Sequence, residues 1–278
     1  MIKTILVGID GSEHARTAIK YALWLARRLQ AHVVGLHVID IVSIEGSFFH
    51  DISGSLGFEP YLDFSSKMRA VLHERGRALL DAFATEAERQ EVSAETVMGV
   101  GVVANEVAER ARTCDLVVIG HRGVNERFST GLLGGTAESV SRKSPKPVFI
   151  STMDFHEIAN PVLAYDGSAR AAAAMQVAAE FCATLRLPLT VLTVNKDDEQ
   201  GSRVLAEAEA YLKPYALKAT LEPQRGNAPE RIANFIRERG HDLLFIGAYG
   251  HSRIIEMVLG STTEYVLRNA SCPVFLNR

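Results

Sequence analysis

Short apolar runs punctuate this chain, and most of them end in glycine or aspartate. Thr4-Ile5-Leu6-Val7-Gly8-Ile9, Val33-Val34-Gly35-Leu36-His37-Val38, Leu116-Val117-Val118-Ile119-Gly120 and Val148-Phe149-Ile150 fall in the first half. Such near-continuous runs predict strands buried on both faces, as in a parallel sheet. Between them the apolar period changes to three or four. Ala15, Ala18, Ala22, Leu25 and Leu29 form one helical face, and Ala171, Ala174, Ala178, Phe181 and Leu185 form another. Asp10 or Ser12, like Asp166 or Ser168, is placed to cap the helix that follows. Second helices are predicted over Met68 to Ala87 and Val204 to Tyr215. Third helices are predicted from about Asn105 to Arg112 and from Pro229 to Arg239. Strands that alternate with helices imply a doubly wound parallel sheet with right-handed crossovers. Ligands of such sheets sit beyond the carboxyl ends of the strands, at the switch point.

The pattern occurs twice. Thr4 to Ser12 is answered by Pro161 to Ser168, Val33 to Val38 by Leu189 to Val194, Asp115 to Gly120 by Asp242 to Gly247, and Lys146 to Ile150 by Cys272 to Leu276. Four matched blocks in one order predict two copies of one domain, over 1–152 and 158–278, joined by a short polar linker near Ser151 to Asn160. Asp10 to Gly120 spans 110 residues, whereas Asp166 to Gly247 spans 81, a difference of 29. The surplus is expected within 41–67, as a long loop carrying Phe48, Phe49, Phe58, Tyr61 and Phe64. That loop would fold over a ligand, dock a partner or cover the sheet edge.

Composition narrows the possibilities. The 278 residues are 47% hydrophobic and 23% charged, the balance of a globular protein, and the net charge of −3 gives no footprint for nucleic acid or an anionic membrane. No apolar run approaches the ~20 residues of a spanning helix. The first residues enter a strand at once, without a leader pattern, which points to the cytoplasm. Cys114, Cys182 and Cys272 are widely spaced and read as reduced core thiols. His14, His32, His37, His50 and His73 form no metal-binding spacing, so no metal site is assigned.

The candidate chemistry lies in Leu243 to Glu264. A strand ends in Gly247-Ala248-Tyr249-Gly250, nine residues intervene, and Gly260-Ser261-Thr262 opens a helix. Glycines let a ligand approach the backbone, and the free N–H groups of a helix N-terminus attract anions. The plainer alternative is a capping box, Ser261-Thr262-Thr263-Glu264, in which the Ser261 hydroxyl serves its own helix. The phosphate-loop pattern GxxxxGK[ST] is absent.

These residues resemble a tandem universal stress protein over essentially the whole chain. Gly247, Gly250, Gly260 and Ser261 match that family's nucleotide motif, G-x2-G-x9-G-[ST], and the Asp-Gly-Ser after the first strand and the closing Pro-Val strands are similar too. The resemblance implies an α/β fold of two doubly wound parallel-sheet domains, of the adenine nucleotide alpha-hydrolase-like or flavodoxin-like kind. They would pack as an intramolecular pseudo-dimer through the last strand of each. It also implies ATP, with ADP and AMP as alternatives and Mg²⁺ as a companion.

Transferred by position, the second site would use Ala164, Tyr165, Asp166, Val194, Ile246, Gly247, Gly250, Gly260, Ser261 and Thr262. The first site would use Ile9, Asp10, Val38, Gly120, Arg122, Gly123, Gly134, Gly135 and Thr136. Its spacer is one residue longer, and Gly135 stands where the hydroxyl residue belongs. Three readings follow: a regulatory nucleotide-binding protein, a slow ATPase or self-phosphorylating enzyme, and a nucleotide-free scaffold. The first is favoured on the full motif of the second copy, which argues against the scaffold, while no Lys, His or Glu constellation identifies the base an enzyme would need. The expected partners are an adenine nucleotide, an unidentified protein and a second tandem chain.

Overall fold

The structure, a computed structural model, describes residues 2–40, 58–123, 135–247 and 260–277, with 58–66 described as backbone only. The first half contains β1 (Thr4–Gly8), α1 (Glu13–Leu29), β2 (His32–Asp40), α2 (Phe58–Arg89), β3 (Ala94–Gly101), α3 (Val103–Ala111), β4 (Leu116–Gly120), α4 (Gly135–Lys143) and β5 (Val148–Ser151). The second half repeats the order with β6 (Pro161–Ala164), α5 (Ala169–Leu185), β7 (Leu189–Val194), α6 (Asp198–Leu212), β8 (Ala219–Gln224), α7 (Ala228–Arg239), β9 (Leu243–Gly247), α8 (Ser261–Asn269) and β10 (Val274–Asn277).

The ten strands among the described residues form one sheet, in the order β3-β2-β1-β4-β5-β10-β9-β6-β7-β8. Every pairing is parallel except β5 with β10, which is antiparallel and aligns Phe149 with Phe275. The expected pairing of the two last strands is therefore made within the chain. Strand order reverses between β1 and β4, and again between β6 and β9. Those are the two switch points.

Burial on both faces explains the continuous apolar runs. Ile5, Val7, Leu116, Val118, Phe149, Leu163, Phe245 and Phe275 face one layer with residues of α1, α2, α5 and α6. Leu6, Val117, Ile119, Ile150, Val162, Leu244, Ile246 and Leu276 face the other, with Val107, Val140, Ile236 and Val266 of α3, α4, α7 and α8. At the seam the rings of Phe149 and Phe275 meet edge-on at 6.4 Å. Phe245 and Phe181 continue the cluster from Phe275 at 5.0 and 6.1 Å. Cys114, Cys182 and Cys272 are buried free thiols, and burial pushes the latter two up to about 12. Among the described residues no helix is long and apolar enough to cross a membrane.

The repeated aspartates at the starts of β4 and β9 have a structural use. Asp115 accepts from the backbone N–H of Lys3 and Thr4 at 2.7 and 3.0 Å. Asp242 accepts from Ala159 and Asn160 at 2.7 and 2.9 Å. Each carboxylate thus aligns its strand with the start of β1 or β6. His241, buried against Phe235, donates from Nδ1 to the Asn160 carbonyl at 2.9 Å.

The surplus of the first half is not all loop. Phe58, Tyr61 and Phe64 fall within α2, which has 32 residues against 15 in α6. Their spacing of three is already helical, and Pro60 stands in the first turn, where a missing N–H is tolerated. Residues 41–57, with Phe48 and Phe49, lie outside the described residues.

Gly120 and Gly247 let helix and sheet approach closely. A Cβ on Gly247 would stand 2.7 Å from the Arg170 carbonyl carbon, and one on Gly120 would stand 2.8 Å from that of His14. A Cβ on Gly135 would meet none of the described residues within 4 Å. Gly247→Ala is expected to destabilise the chain by about 1–3 kcal/mol, with Gly135→Ala within about 0.5 kcal/mol of wild type, in urea unfolding. His241 gives an acid dependence. Burial lowers its pKa below the ordinary 6.5, so the unfolded chain takes up the proton first. Stability should fall as pH drops below about 6.5 and level off once the lowered native value is passed. Unfolding midpoints at pH 7.5 and 5, compared with those of His241→Gln, test this: the variant should lose less stability across that range.

Candidate functional site

The ends of β1, β2 and β4 open at one edge of the sheet, and α1 starts beside them. Ser12 is the N-cap of α1, its Oγ accepting from the Ala15 N–H at 3.1 Å. Asp10 accepts instead from the Ser12 N–H through Oδ1 at 2.8 Å, around Gly11 at φ 84°. The second half repeats this turn: Ser168 caps α5 at 3.2 Å, and Asp166 accepts from the Ser168 N–H at 3.0 Å around Gly167 at φ 78°. Of the two capping candidates, serine caps. The aspartate is left at the mouth of the strand, its carboxylate oriented by the turn.

The helix after β9 starts differently. The N-cap of α8 is Gly260, which makes no side-chain cap bond, and the first intrahelical donor is Glu264 N–H, to the Gly260 carbonyl at 2.9 Å. Ser261 is therefore the first helical residue, and the capping box weighed as the alternative does not form around it. The amides of Ser261, Thr262 and Thr263 precede the first intrahelical bond. Thr263, which is buried, donates from Oγ1 to the Gly247 carbonyl at 3.2 Å and holds this helix start against β9.

The structure brings Asp166, Gly247, Gly260, Ser261 and Thr262 to the second switch point, with Val194 at the end of β7. The side chains of Ala164, Tyr165 and Ile246 are buried, so these three offer backbone alone. Tyr165 donates to Glu207 Oε1 at 2.7 Å, and burial followed by that carboxylate raises its pKa. Gly250 lies outside the described residues.

In the first half, Ile9 and Asp10 follow β1, Val38 lies two residues before the end of β2 and Gly120 ends β4, and Gly123 comes against Asp10, with 2.8 Å from its would-be Cβ to Oδ2. Gly135 and Thr136 start α4 and are exposed. Arg122 lies next to Gly123, and Gly134 is outside the described residues. No group of three or more His, Cys, Asp or Glu suited to a metal is found among the described residues.

Several residues at these sites carry no clear signal in the sequence. His37 Nδ1 donates to the Ile9 carbonyl at 2.7 Å, and Thr193 Oγ1 donates to the Tyr165 carbonyl at 2.8 Å. Each immediately precedes a predicted contact, Val38 or Val194, and locks the strand end whose backbone faces the cleft. Thr263 has only its adjacency to Thr262 as a signal. His14 and Arg170, set against Gly120 and Gly247, have none.

The universal stress protein family model matches residues 1–151 and again residues 160–278. The chain is 31% identical over 287 residues to universal stress protein Slr1230 of Synechocystis sp. (strain ATCC 27184 / PCC 6803 / Kazusa), with both chains covered in full. Universal stress protein YxiE of Bacillus subtilis is 29% identical over 152 residues, which are 54% of this chain and 99% of that one. Among solved structures, a universal stress protein from Archaeoglobus fulgidus DSM 4304 has the same fold, with TM-score 0.77 at 22% identity over 98% of this chain and 97% of the other. This chain therefore belongs to the universal stress protein family, with two such units in one polypeptide.

Proposed function

We propose that the chain is a regulatory adenine-nucleotide-binding protein of the cytoplasm, with one site in each unit, 1–152 and 158–278. The observation that carries this reading is the start of α8. Among the described residues its N-cap, Gly260, gives its N-terminal amides no side-chain cap, whereas α1 and α5 are capped by their own serines. An uncapped N-terminus combines unsatisfied donors with the positive end of the helix dipole, which suits a phosphate group. The Ser261 and Thr262 hydroxyls lie beside it, and Asp166 stands at the neighbouring strand end.

ATP is the proposed ligand, with ADP and AMP as competitors and Mg²⁺ bound through the phosphates. In the first unit Gly123, Gly134, Gly135 and Thr136 would take the phosphates with one hydroxyl fewer. The reading is regulatory because it rests on the glycine and hydroxyl motif of the second unit, and no Lys, His or Glu constellation in the sequence identifies a base for water or a hydroxyl. Sustained turnover above about 1 s⁻¹ would overturn it.

Calorimetric titration of nucleotide-stripped protein with Mg-ATP is the test, with about two sites per chain expected. Absence of binding, confirmed by equilibrium dialysis, would favour the scaffold reading. Gly260→Asp separates site from fold. Gly260 has φ −58° and ψ 146°, which any residue adopts. Asp is a good N-cap, so the thermal midpoint should hold or rise while the carboxylate repels phosphate. Stoichiometry should drop to about one per chain. Unchanged binding in that variant would remove α8 from the site.

A further inference from the structure

The two units differ at the residue after the strand-ending glycine: His121 follows Gly120, whereas Ala248 follows Gly247. The imidazole of His121 crosses the seam between the units. Its Nε2–H donates to the Leu267 carbonyl at 2.8 Å. Leu267 lies in the last turn of α8, where carbonyls run out of intrahelical donors; Ala270 N–H serves Val266, one residue before. A donor at this end also suits the negative pole of the helix dipole. His121 is thus a C-terminal cap for α8, supplied by the other unit.

The cap is held in place. His121 N–H donates to the Ser151 carbonyl at 3.1 Å, just beyond the last aligned pair of β4 and β5, Gly120 with Ser151. Its ring lies 6.3 Å from that of His14, whose Cβ is in close contact with Gly120. Two residues on, Gly123 meets Asp10. The short stretch Gly120–Gly123 therefore touches the first proposed site at one end and α8 through His121.

At its other end α8 is fixed by Thr263 to the Gly247 carbonyl, and its uncapped N-terminus faces the second switch point. Nine residues at 1.5 Å rise make this helix about 13 Å long, a rigid rod between the two attachments.

We propose that His121 is a positioning residue for the nucleotide site of the second unit, acting through α8. The proposal rests on the nucleotide reading above. His121 fixes where the N-terminal amides of α8 stand, and so sets the affinity at Ser261 and Thr262. Ala248 has no side-chain donor to make the mirror contact.

The test reads the second site alone in the full chain. Gly135→Asp puts a carboxylate at the first phosphate position, where a side chain has room. In that background Mg-ATP is titrated calorimetrically into the parent, into His121→Ala and into His121→Gln. Ala should weaken binding about threefold to tenfold, the worth of one lost hydrogen bond, and Gln, which keeps an N–H donor, should return it to within about twofold of the parent. Thermal midpoints recorded alongside separate folding from binding.

A His121→Ala variant with a lowered midpoint and unchanged affinity makes the cap purely structural and overturns the proposal. So does a loss that Gln fails to restore. Wild type that binds ATP while the Gly135→Asp parent binds none overturns the proposal alone. Wild type that binds none overturns the nucleotide reading with it.

Discussion

The antiparallel pairing of β5 with β10 is the contact on which the rest of the molecule depends. Each unit alone would end in a short, mostly apolar strand with an unpaired edge, a template for association with another chain. Pairing the two edges satisfies both rows of backbone groups and puts Phe149 opposite Phe275. It also makes the apolar layers on the two faces of the sheet continuous from one unit to the other. Truncating a buried ring of this kind costs about 3–5 kcal/mol, so the junction contributes to stability as a core does and not merely as a tether.

The rest of the architecture follows from where helices begin. At the second switch point two helix starts stand near the strand ends, and they meet opposite fates. In α1 and α5 a serine hydroxyl closes the N-terminus and a preceding aspartate turns the chain around a glycine of positive φ. In α8 a glycine occupies the cap position and leaves the amides to something outside the helix. The same backbone geometry thus serves folding in one helix and, on the reading proposed here, ligand capture in the other.

Duplication has not kept the two units equivalent. The first has the longer second helix, a glycine in place of a hydroxyl residue at 135, and a histidine that reaches across the seam. The second keeps Ser261 and Thr262 and depends on its partner unit for the carbonyl end of the helix that bears them. A chain with both units in one polypeptide can hold such differences fixed. Two identical chains would carry His121 in both units.

Strand runs, helical faces and their duplication are legible in the sequence because burial on both faces of a sheet and on one face of a helix leaves a local period. That period by itself places Asp10, Asp166, Gly120 and Gly247 at strand ends. It does not extend to α2, where aromatics among Gly and Ser suggest a loop although Phe58, Tyr61 and Phe64 keep a helical spacing. Tertiary structure alone decides that Ser12 caps and Asp10 does not, because both side chains are suitable and only the turn at Gly11 selects between them. It alone shows that Gly247 is small to admit the Arg170 backbone. It alone joins Thr263 to Gly247, 16 residues apart, and His121 to Leu267, 146 residues apart. Periodicity reports which face of an element is buried. Which atoms meet across that face depends on distances that no local pattern encodes.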